Sequence, residues 1–335
     1  MARCVYATAD WGIHDARWTS ALRTVGFEPD VVRLGIDAAN PTIFRELVTQ
    51  AAKPNVPVVA GPLDSVTAHL VSIDSPVTGL SWGFDLHTMS DHSWLSNLHG
   101  LIVDSEATAH LATNAGVNSS RITFLPWGVD LDQFSLNGPR ADLTAWGVPK
   151  SARTLLSLRA HEPLYRVSDI LEGFAQASRE LSNVHLLVGH NGSLTEQLQA
   201  QANALGIQDR THFIGSLPEE DLPALLRASD LYVSASEVDG TSVTLLQAMA
   251  CGTTVLTSDT DGNHPWVSPG VTGHLFHTGD SDDLAEQLTL LLSDTTSPNH
   301  PNSALLQKAR ALVVEKANWT ANLHRLHDAL TTDET

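Results

Sequence analysis

The chain has 335 residues, 42% hydrophobic and 17% charged, with 19 Lys and Arg against 38 Asp and Glu, a formal net charge of −19. That length predicts two domains of about 100–200 residues each and argues against one small core, and the absence of any basic block argues against nucleic-acid and anionic-lipid partners. Cys4 and Cys251 alone make no disulfide framework, and the start MARCVYATAD lacks the apolar stretch of a signal peptide, so a reducing, cytoplasmic setting without a transmembrane segment is expected.

In chain order, RCVYATA reads as a short buried strand and ARWTSALRTVG as a helix closed by Gly26. The apolar runs DVVRL, PVVAG, GLSWG, GLIVDS and ITFLPWG follow, interleaved with the helical stretches PTIFRELVTQAAK and EATAHLATNAG. Such alternation predicts a parallel sheet covered by helices. Gly and Pro punctuate SLNGPRADLTAWGVPKSA over 135–152, which marks a domain boundary.

A second series begins with TLLSLRA, VSDILEGFAQASREL and VHLLVGH, and continues through TEQLQAQANALG, THFIGS, EDLPALLRAS and LYVSAS. After VTLLQAMACG, TTVLTSD and DDLAEQLTLLLS comes a last amphipathic helix from about Ser303 to Leu330. The predicted fold is α/β, with two Rossmann-like doubly wound domains over 1–145 and 146–310 that face each other across a cleft. Ligands of such sheets sit outside the carboxyl ends of the strands.

The most informative stretch is ASDLYVSASEVDGTSVTLLQAMACGTTVLTSD. It predicts a strand, an acidic turn, a helix and a second strand. Gly240 lets backbone approach a ligand, Thr241 and Ser242 can cap the helix, and the first helical N–H groups, Val243 among them, then suit a phosphate. Asp239 in the turn and Gln247 inside the helix offer oxygens to sugar and ribose hydroxyls. Sixteen histidines invite a metal, yet no HExxH pattern or zinc spacing appears, and no metal is expected.

Here the sequence resembles the family 4 glycosyltransferases, retaining enzymes of two-Rossmann GT-B architecture, over nearly the whole chain. That family carries a glutamate, seven residues and a second glutamate at this turn, followed by a run like Ala248–Gly252; the matching positions are Asp239 and Gln247. WGFDL, LIVDS, ITFLPWGVDLDQF, LRAHEPLYRV, VGHNG and FIGSLPEEDLPALLRASD match in the family's order. The tail KANWTAN resembles its closing helix, which implies that 311–335 crosses back onto the first domain.

The resemblance implies transfer of a sugar from a nucleoside diphosphate sugar, in UDP or GDP form, to a small-molecule or glycan acceptor, with retention and without metal or other cofactor. Asp239 and Arg159 are the catalytic candidates, for the donor sugar and the diphosphate. Gly12, Arg166, Gly240, Thr241, Ser242, Val243 and Gln247 would bind donor, and His14, Asp85 and His87 would stand on the acceptor side. Three departures accompany the match. Gln247 replaces the ribose-binding glutamate, Leu164 stands at the family's lysine position, so that either Arg166 substitutes or the charge is missing, and Gly12 and Trp82 replace the paired glycines and the histidine of the first domain. Trp11, Trp18 and Trp82 suit either an acceptor ring or the core. Asp259-Thr260-Asp261 imitates the metal-binding pair of another glycosyltransferase fold, but follows a late strand as a solvated loop would. The rival readings are a nucleotide-sugar-binding protein without transferase activity and a nicotinamide dehydrogenase, the latter lacking GxGxxG after the first strand.

Overall fold

The computed structural model describes residues 1–9, 11–34, 40–53, 56–293 and 304–331. They form two compact units, one of Met1–Trp127 with Trp319–Thr335 and one of Gly128–Asn318.

Unit 1 alternates β1 (Ala2–Thr8), α1 (Ile13–Thr24), β2 (Phe27–Arg33), α2 (Pro41–Ala52), β3 (Val58–Ala60), β4 (Val77–Leu80), α3 (Phe84–Thr88), β5 (Gly100–Val103), α4 (Glu106–Asn114) and β6 (Ile122–Phe124). Its sheet runs β2-β1-β3-β4-β5-β6, every pair parallel. Cys4, Val5, Tyr6 and Ala7 of β1 are fully buried, as expected of a strand covered on both faces. Asn40 caps α2 by accepting from Thr42 N at 3.0 Å, Pro41 sets its first turn, and Phe44, Val48 and Ala52 recur every four residues to form its buried face.

Unit 2 continues with β7 (Arg153–Ser157), α5 (Val167–Ala177), β8 (Val184–Gly189), α6 (Thr195–Ala204), β9 (Thr211–Gly215), α7 (Leu222–Ala228), β10 (Leu231–Ser234), α8 (Val243–Cys251), β11 (Thr254–Ser258), β12 (His274–Phe276), α9 (Ser281–Ser293) and α10 (Ala304–Lys316). Its parallel sheet has the order β12-β11-β10-β7-β8-β9. One face buries Leu171 and Phe174 of α5 with Leu284 and Leu288 of α9; the other buries Leu245 and Met249 of α8 with Ala309 and Val313 of α10. The chain then returns to unit 1 as α11 (Trp319–Asn322) and α12 (His324–Thr331). There α12 packs on β5 and β6, and Arg325 donates to Phe124 O at 3.2 Å.

Both predicted strand–helix series are present, but the division falls elsewhere. The chain leaves unit 1 after Trp127, ahead of the 135–152 stretch. That stretch is bonded into unit 2: Ala141 N donates to Ala224 O at 3.0 Å, and Arg227 donates to Pro139 O at 2.9 Å and Ser135 O at 3.0 Å. The return begins at Trp319 rather than at 311. The single helix expected over 303–330 is three helices, because Ala317 O accepts from Val129 N at 2.7 Å and Asn318 bridges Val129. Ser303 and residues 332–335 lie outside the described residues.

Candidate functional site

In unit 2 the loops after β7, β8 and β10 meet at the carboxyl edge of the sheet, since β10, β7 and β8 are neighbours. The loop after β7 is tied to the loop after β10 by Glu237 N donating to Leu164 O at 2.9 Å. It is tied to the loop after β8 by His161 N donating to Asn191 O at 3.2 Å. His161 itself is buried, with Nδ1 2.9 Å from Thr195 Oγ1 and Nε2 3.1 Å from Gly189 O, so it braces the loops.

Arg159 lies at the centre. Its Nη1 donates to Ser242 Oγ at 2.7 Å, its Nη2 stands 2.9 Å from Asp239 Oδ2, and its Cζ lies 4.2 Å from the centre of the Tyr165 ring. Ser242 is also the N-cap of α8, accepting from Leu245 N at 3.4 Å, so the arginine is anchored where the helix presents its unpaired N–H groups. Burial pulls the Arg159 pKa down, but the Asp239 charge and hydrogen bond together with Tyr232 and Tyr165 outweigh it and the net shift is upward. The guanidinium is a permanent positive charge with a side chain 10% exposed.

Around it, Arg159 Nε, Gln247 Oε1, Ser157 Oγ, Thr257 Oγ1, Thr260 Oγ1 and Asn263 Oδ1 are buried without a hydrogen-bond partner, and Asp239 Oδ2 has only the charge contact with Arg159. Each buried unsatisfied group costs about 1–3 kcal/mol. All seven of these groups belong to the loops after β7, β10 and β11, to α8 or to the last two residues of β7 and β11, a density that marks a polar surface built to receive a ligand. The loop after β11 closes on the turn so tightly that a Cβ on Gly262 would lie 1.8 Å from Asp239 O. Only glycine fits there.

The residues expected at the donor turn are thus together: Arg159, Asp239 and Ser242 in contact, with buried Gly240, Thr241 and Gln247 and half-buried Val243 beside them in sequence. Arg166, read as a substitute for the missing lysine, is committed to acids, with Nε 2.7 Å from Asp169 Oδ2 and Nη1 3.9 Å from Glu237 Oε2.

In unit 1, Gly12 precedes α1 with φ −132°, and an added Cβ would meet only Asp15 Oδ2, at 3.7 Å. The fold therefore does not itself demand glycine there. The His14 ring packs on Trp82 and Trp127 at 5.1 and 4.8 Å, while His87 is exposed on α3. Asp85 is buried and accepts from Ser81 Oγ at 2.6 Å and from the backbone of Leu63, Trp82 and Leu86 at 2.9, 3.0 and 2.8 Å. Burial raises its pKa despite these bonds. Its place is a brace between loops, not a free acceptor-side group. Trp18 belongs to the core, 2% exposed against Trp127 and Trp319, whereas Trp11 is 38% exposed. Asp259 is bonded to His264 and Asp261 lies 3.8 Å from the same ring, which accounts for the apparent aspartate pair.

Sequence reading missed Tyr165, Gly262 and Asn263. Tyr165 lies within the quoted LRAHEPLYRV segment, but an arginine–ring contact leaves no spacing signal. Gly262 follows the aspartate pair and is apparent only from the approach of two loops.

A family model described as glycosyl transferases group 1 matches residues 141–325, more than half of the chain. The chain belongs to the group 1 glycosyl transferases. Two relatives of this group 1 chain are the N-acetyl-alpha-D-glucosaminyl L-malate synthase of Bacillus anthracis, 32% identical over 44% of this chain and 38% of its own, and the D-inositol 3-phosphate glycosyltransferase of Mycolicibacterium smegmatis, 30% identical over 72% of this chain and 54% of its own. The matches thus span about half or less of these relatives' length. Among solved structures, Anabaena HepE in complex with UDP and glucose superposes with a TM-score of 0.80 at 16% identity, covering 99% of this chain and 100% of that one. At that identity the likeness shows the fold, and the fold of this group 1 glycosyltransferase is GT-B.

Proposed function

We propose that the chain transfers a sugar from a nucleoside diphosphate sugar to an acceptor, with retention of anomeric configuration and without a metal. The observation that carries the reading is Arg159, its side chain nine-tenths buried and cationic on the cap of α8 among orphaned polar atoms. A diphosphate supplies what Asp239 alone leaves unmet: negative charge for the helix N-terminus and for the rest of the guanidinium, and partners for the buried groups. Asp239 would take the sugar hydroxyls, and Gln247 Oε1, an acceptor without a donor, would take a ribose hydroxyl.

In the reaction the bond between the anomeric carbon and the diphosphate oxygen breaks as the acceptor oxygen attacks on the same face, and the acceptor's hydroxyl proton passes to the departing diphosphate. Arg159 and the first amides of α8 stabilise the charge that grows on the departing diphosphate, a preorganised contribution of about 3–4 kcal/mol per donor. Asp239, ion-paired to Arg159, orients sugar and serves no nucleophilic role. HepE, whose structure holds UDP and glucose, and the relatives named for sugar transfer support the donor class.

The test is release of nucleoside diphosphate and formation of glycosylated product from UDP- and GDP-sugars over an acceptor library, with the product anomer read by NMR. Arg159→Ala is expected to lower kcat/KM about 100- to 1000-fold, the range for loss of one preorganised donor. Unchanged turnover in that variant, or an inverted product, would contradict the proposal.

A further inference from the structure

We infer that the acceptor surface of unit 1 takes an uncharged saccharide ring and discriminates against acceptors bearing phosphate or carboxylate, an inference that rests on the transferase reading above. Because every strand pair in unit 1 is parallel, the segments that follow the strands gather at one edge of the sheet.

The chain has no lysine or arginine between Lys53 and Arg121, the span that supplies the segments after β3, β4 and β5. Residues 9–12 after β1 and 125–127 after β6 add none. Of the cations nearby, Arg17 is held over Trp319 and Trp127 at 4.2 and 5.5 Å, Arg325 is bonded to Phe124 O at the end of β6, and Arg33 ends β2, so the cations of this edge stand at its two outer strands and the segments after β1, β3, β4 and β5 between them carry none. The same edge carries half-buried Asp64 after β3 and exposed Glu106 after β5, with Asp85 and Asp104 buried and hydrogen-bonded within the segments after β4 and β5. Recognition of an anionic group rests on charge-assisted bonds from Arg or Lys, and this edge opposes it with acids instead.

Between its outer strands the edge offers aromatic faces in place of cations. Trp11, 38% exposed, precedes α1, and Phe84, 36% exposed, opens α3. Their two segments touch through His14, whose ring lies 5.1 Å from that of Trp82, and Trp82 Nε1 is itself without a hydrogen-bond partner. Exposed rings beside an indole N–H in need of an oxygen suit the apolar C–H face and the hydroxyls of a sugar ring.

The experiment uses the full chain, its preferred nucleotide sugar and matched acceptors, each a neutral saccharide paired with its phosphate or uronic acid form, at 20 and 500 mM NaCl. Neutral acceptors are expected to raise donor consumption above hydrolysis, with an acceptor KM that moves less than twofold between the two salt levels. Trp11→Ala and Phe84→Ala should each raise acceptor KM at least tenfold with the donor Kd unmoved, and Trp11→Tyr should restore most of the loss. Equal or better use of the charged partner, an acceptor KM that climbs steeply with salt, or no neutral acceptor acting above hydrolysis would overturn the inference while leaving the donor reading intact. Absence of any donor binding would instead remove the transferase reading, and this inference with it.

Discussion

Arg159 and Asp239 hold each other 2.9 Å apart, so each is the other's partner until a donor arrives. Asp239→Ala is expected to abolish transfer while the chain still folds, with a lowered thermal midpoint because the largely buried Arg159 loses its ion-pair partner. Substantial turnover in that variant would remove Asp239 from the site. Asp85 predicts the opposite pattern. It satisfies two buried and one part-buried backbone N–H group and a serine hydroxyl, so Asp85→Ala should destabilise the fold by about 3 kcal/mol, read from urea unfolding. Spacing made Asp239, Ser242 and Gln247 legible, because a capped helix after an acidic turn has a linear signature. Asp85 was legible only as a polar residue in a family segment, since its bracing role depends on Leu63, which spacing does not connect to it.

At the scale of elements, α8 and the loop after β11 act together. Gly262→Ala would drive a Cβ into Asp239 O, so the turn must shift; donor affinity is expected to fall at least tenfold, more than any loss of stability would explain. Unaltered donor affinity would show that the turn is not the binding element. The adjacent strands β8 and β9 carry a different device. His185 and His212 stack 5.2 Å apart with Nδ1 2.9 Å from Nε2, and burial lowers both pKa values, with the charges of His212 and Arg210 lowering His185 further. The unfolded chain, with histidine pKa near 6.5, therefore takes up protons first as pH falls. The stability this pair contributes is present above that value and is lost as pH drops through the lower folded pKa. The urea midpoint should decline from pH 7.5 to 5.5, and less steeply when both histidines are replaced by Gln; identical slopes would refute the assignment. Strand and helix alternation was legible from apolar periodicity, but this histidine pair was not, because strand neighbours appear only once the sheet order is known.

At the scale of the whole molecule, both chain ends build unit 1. Trp127, where the chain leaves, and Trp319, where it returns, stack 6.4 Å apart at 15°, with Trp18 packed on both. Ending the chain at Asn318 should uncover Trp18 and Trp127, red-shift tryptophan emission and lower the unfolding temperature of unit 1; an unshifted spectrum would contradict that packing. The two-domain alternation was legible in the sequence, but the point of division was not. Gly and Pro over 135–152 signal loops, and these loops are bonded within unit 2 through Arg227 and Ala224. The central claim, a nucleoside diphosphate sugar held on Arg159 and the start of α8, is tested most directly by calorimetric titration of the full chain and of Arg159→Ala with UDP, GDP and their sugars. The account predicts saturable binding of at least one, lost in the variant, with about 2.7 kcal/mol of added stability at 100 times Kd. No binding by any of them to the folded chain, or equal binding by the variant, would contradict it.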